Sequence, residues 1–362
     1  MEKEKNIENQ RVSITLNFDL PDIRNYNEGF ALIRMNKKYG FLDRKAYFLV
    51  KPEYDYAESF REGFASVGKN DILLSKKYGF IDKTGKIVIE LKFDNAKSFS
   101  NGLAAVELDK KWGFINTKGE FVIQPEFEDA TYFHEDLACV KINGKYGFID
   151  KTGKVIIKPK FLSPSNFSNG FSNVYLNKKG GFINKDGKLI IEAKFGYIFN
   201  FKEGLAAVNF KDKWGFINTQ GEFVIQPEFT WTSNFFDGVA IVGIKDKSAF
   251  INKKGENIYN KLFDYVSNFS EGVAPFFELT EKGKIQALER KKINDYHEDP
   301  FSNVTLDGKW GFIDKDLNVV IKPTYDSANT FNEGLAVVRI KKKFIIIDKS
   351  GKELFEKDSD IK

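Results

Sequence analysis

Apolar and polar positions between residues 204 and 235 come in three short bursts. Residues 205–210 (LAAVNF) form an apolar run, Lys211-Asp212 a polar turn, and residues 213–217 (KWGFI) a second run. Asn218-Thr219-Gln220-Gly221 then reads as an Asx-started turn ending in glycine, and residues 222–229 (EFVIQPEF) as a third run. Short β-prone runs separated by turn residues predict a three-stranded antiparallel meander. The turn has a mechanism. The Asx side chain bonds the backbone two residues on, and glycine takes the positive φ that closes a hairpin with a bulge. Pro227 lacks a backbone donor, so pairing on its side should stop there.

Alternation assigns the faces of each strand. Trp214 and Phe216 share one face of the middle strand, and Gly215 and Ile217 the other. In the third strand Phe223 and Ile225 share a face and Val224 takes the opposite one. Apolar groups on both faces imply cover on both sides, most simply by neighbouring units. Gly215 and Ala206 are then expected to be small so that a neighbour's ring can approach the backbone. The segment after each meander, 230–238 and its equivalents 96–102 and 328–334, reads as a corner leading to the next unit. Its phenylalanine (Phe99, Phe235, Phe331) would plug the gap between units, and its glycine would allow the tight backbone.

The pattern repeats. Tyr78, Trp112, Tyr146, Gly180, Trp214 and Ser248 are each 34 residues apart, and related positions fall at Tyr39, Trp310 and Phe344. A fixed period of this size marks a repeat architecture whose units stack into one body. The expected fold is all-β, about nine three-stranded units arranged as an open solenoid-like superhelix. A closed propeller-like ring is the alternative, disfavoured because propellers usually have four to eight blades of four strands. Tyr78, Trp112, Tyr146, Trp214 and Trp310 are expected to be structural core. The division runs as a flexible N-terminus at 1–10, a capping partial repeat at 11–37, repeats at 38–278, an insertion at 279–300, further repeats at 301–355 and a flexible C-terminus at 356–362. Residues 111–127 and 213–229 differ at one position of 17, Lys118 against Gln220, which should place both copies in equivalent surroundings. Units degraded at Gly180, Ser248 and Phe344 are expected to pack less well, and terminal units to face water.

From Ser248 to Trp310 there are 62 residues, 28 beyond the period. The surplus holds Lys282, Lys284, Arg290, Lys291 and Lys292, then Tyr296 and His297 among acidic neighbours. Insertions in repeat arrays map to loops on one face, often a binding face, so these seven residues are candidate contacts. A tolerated surface insertion is the plainer reading.

Composition changes this picture little. Aromatic residues make up 15% of the 362 and charged residues 30%, far from a disordered composition. The net charge of +5 is a mild bias and not the footprint of a dedicated nucleic-acid binder. No apolar run is long enough for a membrane helix, and the charged start lacks the apolar stretch of a secretory signal. Cys139 is the only cysteine, which fits a reducing, cytoplasmic compartment. With two histidines, His134 and His297, there is little material for a metal site or triad. Cys139 stands where sister units carry Ala105 and Ala207, so core packing outweighs a Cys-His nucleophile. The repeated turn residues Asp82, Asn116, Asp150, Asn184, Asn218, Asn252, Asp314 and Asp348 read as Asx turns rather than calcium ligands.

Lys-Trp-Gly-Phe-Ile-Asp at 309–314, with Gly-x-x-Val-Ile-x-Pro-x-Phe and Phe-x-x-Gly-Leu-Ala-x-Val, resembles the WG-repeat family of bacterial proteins over residues 18 to 355. The resemblance implies a β-rich, non-catalytic module that binds proteins or other macromolecules, with no active site to carry over. The expected function is a non-enzymatic scaffold without cofactor or metal, monomeric outside its complex, that holds a protein partner through an extended repeat surface. Nucleic-acid binding by clustered Lys and Arg, including the 279–300 insertion, is the alternative.

Overall fold

A computed structural model describes residues 22–70, 75–292, 306–341 and 343–354. Among the described residues nine small antiparallel sheets follow one another, each built from consecutive strands. Sheet 1 pairs β1 (Asp22–Asn27), β2 (Phe30–Met35), β3 (Lys38–Asp43) and β4 (Phe48–Tyr54) in that order. Residues 22–37 of the expected cap form β1 and β2 of this sheet, while 11–21 lie outside the described residues. Sheet 2 repeats the order with β5 (Tyr56–Ala57), β6 (Phe64–Asn70), β7 (Lys76–Asp82) and β8 (Ile87–Phe93).

The unit thus has four strands where three were expected. The extra strand is the corner segment, paired for only two residues in several sheets: Ala96 lies opposite Val106 and Asn95 opposite Glu107. Two paired residues beside a polar stretch leave no alternation for a sequence pattern to register. In sheets 6 and 7 the same pairing shrinks to single bridges, Ile198 with Val208 and Thr232 with Val242.

The Asx turns form as expected. Asn218 Oδ1 accepts from the Gln220 and Glu222 N–H groups, both at 3.0 Å, and Gly221 sits at φ 82°. Just beyond the turn the outer strand carries a bulge, with Ile217 opposite Phe223 but Phe216 opposite Ile225. The bulge separates the two residues assigned above to one face. Phe223 packs with Ile217 and Phe182, whereas Ile225 packs with Phe216 and Phe235. It also explains the glycine of the Trp-Gly phrase. A Cβ at Gly215 would lie 2.6 Å from the Ile225 carbonyl oxygen and 2.8 Å from the Pro227 nitrogen. The close approach comes from the unit's own outer strand and not from a neighbour's ring.

The hydrophobic core lies between successive sheets. In each interface a corner phenylalanine meets the phenylalanine of the preceding Trp-Gly-Phe strand. Eight such pairs, from Phe60–Phe41 to Phe331–Phe312, have ring centroids 4.8–4.9 Å apart. The ninth interface joins the last sheet to the first. There Tyr26 fills the corner position and packs in one cluster with Leu335, Val337 and Ile346 of sheet 9. The Asn332 side chain donates to the Tyr26 carbonyl at 2.7 Å, and the Glu333 carboxylate accepts from the Gly29 N–H at 2.8 Å. The array is therefore a closed, propeller-like ring and not an open superhelix. Its terminal sheets bury their faces against each other, so neither needs the polar outer face of a capping unit.

Two degraded units behave differently. At Gly180, Ile198 of the next sheet occupies the space of the missing ring, its Cδ1 2.8 Å from where a Cβ would stand, so packing is restored rather than loosened. At Ser248 the outer strand is lost. Sheet 7 keeps two strands, Ala240–Ile244 and Lys247–Ile251, and the following segment makes single bridges at Asn257 and Phe263.

Candidate functional site at the ring axis

The corner strands converge on the ring's middle. One cavity of about 620 Å³ is lined together by Arg24, Asn25 and Asn27 of sheet 1, Ser59 of sheet 2, Ser267 of sheet 8 and Asn329 and Asn332 of sheet 9. Segments from four successive sheets can share one cavity only if they face inward. The outer strands face away and expose apolar pairs such as Ile87-Val88, Val155-Ile156 and Leu189-Ile190.

Two interrupted polar girdles run around this axis. The outer one runs through the hairpin turns between the first two strands of each sheet. These turns hold two residues at positive φ, the second a glycine as at Glu62 (52°) and Gly63 (86°) except in sheet 4, where Asp136 (68°) takes its place, which is the demand of a tight two-residue hairpin. The Glu side chains reach on to the next turn. Glu28 accepts from the Glu62 and Gly63 N–H groups at 2.7 and 2.9 Å, and Glu62 from those of Asn101 and Gly102 at 2.7 and 2.9 Å. Glu135, Glu203 and Glu271 likewise hold Gly170, Gly238 and Gly334. Lysines from neighbouring Asx turns back these carboxylates, as Lys83 does Glu28 at 3.1 Å and Lys253 does Glu203 at 3.0 Å. Burial pushes the Glu28 carboxyl up, but the Gly63 N–H and Lys83 outweigh it and hold the group below its ordinary range.

The inner girdle is set by the residue just before the Glu-Gly pair. In five sheets it is Ser or Asn and donates to the carbonyl of the next corner aromatic. Asn27 donates to Phe60, Ser100 to Phe133, Ser168 to Phe201, Ser270 to Phe331 and Asn332 to Tyr26. The four remaining sheets place Arg61, His134, Lys202 and Phe236 there instead. Arg61, Lys202 and Phe236 are exposed and His134 is half-buried. The Arg61 guanidinium lies 5.7 Å from the ring centre of Tyr132, two sheets on, and Tyr132 in turn meets the His134 ring edge-on at 6.4 Å. Burial holds the His134 imidazole below its usual value, with the charges of Arg61 and Lys202 adding to the shift and that of Glu135 opposing it. Arg61, Tyr132, His134 and Lys202 thus form a cationic and aromatic group beside the cavity, whose own lining is Arg24 with amides and hydroxyls.

The expected contacts in the insertion lie elsewhere. Helix α1 (Glu281–Lys292) leaves the hairpin between the second and third strands of sheet 8, the opposite end from the Glu-Gly turns. Thr280 caps it, its Oγ1 accepting from the Gly283 N–H at 3.1 Å. Lys282 is exposed, and Lys284 pairs with Glu281 at 2.7 Å. Arg290, Lys291 and Lys292 belong to the helix's last turn, and Tyr296 and His297 lie outside the described residues. Of this group, the described side chains Lys282 and Lys284 stand on the helix that leaves this opposite end.

Of the expected core residues, Trp112 is buried, while Tyr78, Tyr146, Trp214 and Trp310 are half-buried and pack against the inter-sheet clusters. Cys139 is buried in one of these clusters, and burial, with Asp129 nearby, pushes its thiol up to about 12. A thiol so placed is inert as a nucleophile. Among the described residues no three His, Cys, Asp or Glu side chains are gathered to hold a metal, and no helix is long and apolar enough to cross a membrane. Sequence reasoning passed over Arg61, Tyr132, Lys202 and Phe236. The available signal was the position before Glu-Gly, where Ser or Asn gives way to larger side chains in four units.

No curated protein matches the chain. Among solved structures, Hsv2 of Kluyveromyces lactis is similar at 9% identity and a TM-score of 0.39, over 72% of this chain and 94% of that one. PorZ, a bacterial surface component of the type-IX secretion system of Porphyromonas gingivalis, is similar at 9% identity and a TM-score of 0.33, over 92% and 52%. The AfRom2 CNH domain gives 10% and 0.32, over 63% and 91%. The model of the WG containing repeat matches nine times, at residues 8–39, 39–71, 78–112, 112–146, 146–179, 181–214, 214–247, 249–278 and 310–344. With nearly the whole chain matched unit by unit, this protein belongs to the WG-repeat family.

Proposed function

We propose that this ring is a non-enzymatic scaffold that binds another protein, and that the contact is made at the axial mouth rather than along an extended repeat surface. The observation that carries this reading is the break in the inner girdle. Four of nine equivalent positions give up the Ser or Asn that ties one sheet to the next, and three of the four present an exposed cation or aromatic ring to the axis instead. Exposed Arg and aromatic side chains are the groups that dominate protein contacts. The lone buried thiol fits the proposed cytoplasmic setting.

Photo-crosslinking tests the reading. A benzophenone amino acid at Lys202 should trap a discrete protein from the source cell, and the same probe at Ile285 on α1 should not. Trapping from Ile285 alone would move the contact to the insertion. Nucleic-acid binding would show instead as retention of labelled oligonucleotide on a filter, falling steeply between 50 and 200 mM salt.

A further inference from the structure

We propose that the axial cavity takes an acidic peptide segment, its carboxylates held at the mouth by Arg61 and Lys202 and its backbone lying along the amide-lined wall. This rests on the protein-binding reading and names the chemistry the partner would present.

Three features of the axis converge on this ligand. The first is charge. Most lysines at the ring's hairpin end are already engaged: Lys83, Lys185, Lys253 and Lys349 each hold a Glu of the outer girdle. Arg61 and Lys202 have no carboxylate partner among the described residues, although Glu62 and Glu203 directly follow them in sequence. Those two carboxylates are committed to the N–H groups of the next turns, Asn101 and Gly102 for one and Gly238 for the other. The Glu58 carboxylate, which also lies near Tyr132, is taken up by the Tyr56 hydroxyl and by Ser98. Arg61 is also held in place, its guanidinium laid against Tyr132, which leaves its donors free to grip a carboxylate side-on.

The second feature is the wall. Arg24, Asn25, Asn27, Asn329, Asn332, Ser59 and Ser267 line the cavity, with Asn27 and Asn332 each already giving one amide donor to a neighbouring carbonyl. Amide and hydroxyl groups offer both donors and acceptors, which match a peptide's alternating C=O and N–H. A phosphodiester backbone offers acceptors only.

The third feature is the surrounding girdle. Glu28, Glu62, Glu135, Glu203, Glu271 and Glu333 circle the mouth. A continuous polyanion would have to run across this belt of carboxylates. A short segment with two or three acidic side chains reaches the axial cations without doing so. The exposed Phe236 occupies the equivalent position in sheet 7 and provides a face for an apolar side chain within that segment.

The test is direct binding with defined probes. Fluorescence anisotropy of a labelled hexapeptide of alternating glutamate and alanine should show saturable binding to the intact chain, and a serine-alanine analogue should show none. Arg61→Glu with Lys202→Glu should weaken the acidic peptide at least tenfold and create affinity for a lysine-alanine peptide of the same length. Lys282→Glu with Lys284→Glu on α1 should leave both unchanged. The double variants alter exposed side chains, and an unchanged melting temperature checks that the ring is intact. Equal binding of the acidic peptide by the Arg61/Lys202 variant, or no binding at low salt, overturns the proposal. So does preferential binding of a labelled oligothymidine, which would make the ligand nucleic acid. If crosslinking from Lys202 traps a protein while the acidic peptide fails, the protein-binding reading survives and the ligand chemistry assigned here does not.

Discussion

Sheets 3 and 6 share almost the same sequence through their third and fourth strands, and their tryptophans nevertheless stand in different surroundings. The shared segment gives identical local structure. Strand register matches residue for residue, Trp112 opposite Phe127 and Trp214 opposite Phe229. The Asx turns match as well, with Asn116 bonding Glu120 at 2.8 Å and Asn218 bonding Glu222 at 2.9 Å. The rings do not match. Trp112 is 6% exposed, packs beside Ala130 and carries the Lys97 ammonium 4.7 Å above it. Trp214 is half-buried and lies against the exposed Phe199 at 4.9 Å. The expectation of equivalent environments therefore fails at this ring. The third and fourth strands are set by the repeat, while each ring is covered by corner residues, and those differ between units. Alternation of small and large runs through the ring: Ala96 and Ala130 sit over Tyr78 and Trp112, and Ile198 over Gly180.

The corner phenylalanines should resist the distinction most. Phe133 and Phe235 are 0% and 1% exposed and meet the same partner geometry at 4.8 Å. Phe133→Ala and Phe235→Ala are expected to cost about 3–5 kcal/mol each, as for a buried aromatic truncated in a tight core. Urea unfolding followed by circular dichroism would check it, and a difference of more than about 1 kcal/mol between the two would mean that the interfaces are not equivalent even at their centre.

The tryptophans should part. Trp112→Ala falls in the same range of about 3–5 kcal/mol, and Trp214→Ala should cost measurably less because less of its surface leaves water on folding. Equal losses in paired unfolding curves would show that half-burial understates the packing of Trp214.

The glycines between strand and bulge should again agree. A Cβ at Gly113 or Gly215 would stand 2.6 Å from the Ile123 or Ile225 carbonyl oxygen. Gly113→Ala and Gly215→Ala are each expected to cost about 1–3 kcal/mol, the range for overpacking against backbone. A neutral Gly215→Ala in a thermal melt would remove the bulge as the reason for the glycine.

The smallest effect concerns pH. Sheet 3 begins at Asp94, paired with Lys77 at 2.5 Å, where sheet 6 begins at Gly196. The Lys77 hydrogen bond comes first among the causes holding the Asp94 carboxyl below its ordinary value. A carboxyl lowered in the folded state stabilises it above the ordinary carboxylate range, and that contribution is lost as pH falls through the folded value. Asp94→Asn should flatten the acid side of the stability profile slightly, and Gly196→Asn should leave it unchanged. A parallel drop in both variants would place the acid sensitivity elsewhere.

The tandem unit, its β-class, the Asx turns and the phenylalanine plug were all legible in the sequence. Each depends on contacts that recur within one unit or between a unit and its neighbour, and 34-residue copying prints such contacts many times. The sequence also marked where the array departs from its rule, at Gly180, Ser248 and before Trp310. Three things required the tertiary structure. Closure depends on one interface between residues some 300 apart, where Tyr26 and Ile346 replace the Phe–Phe pair seen in the other eight, so no repetition announces it. The fourth strand and the bulge depend on register, which period-two alternation cannot report once an extra residue shifts the faces. The axial mouth depends on closure itself: Arg61, His134 and Lys202 lie in three different sheets, and only the curvature of the ring brings them to one opening.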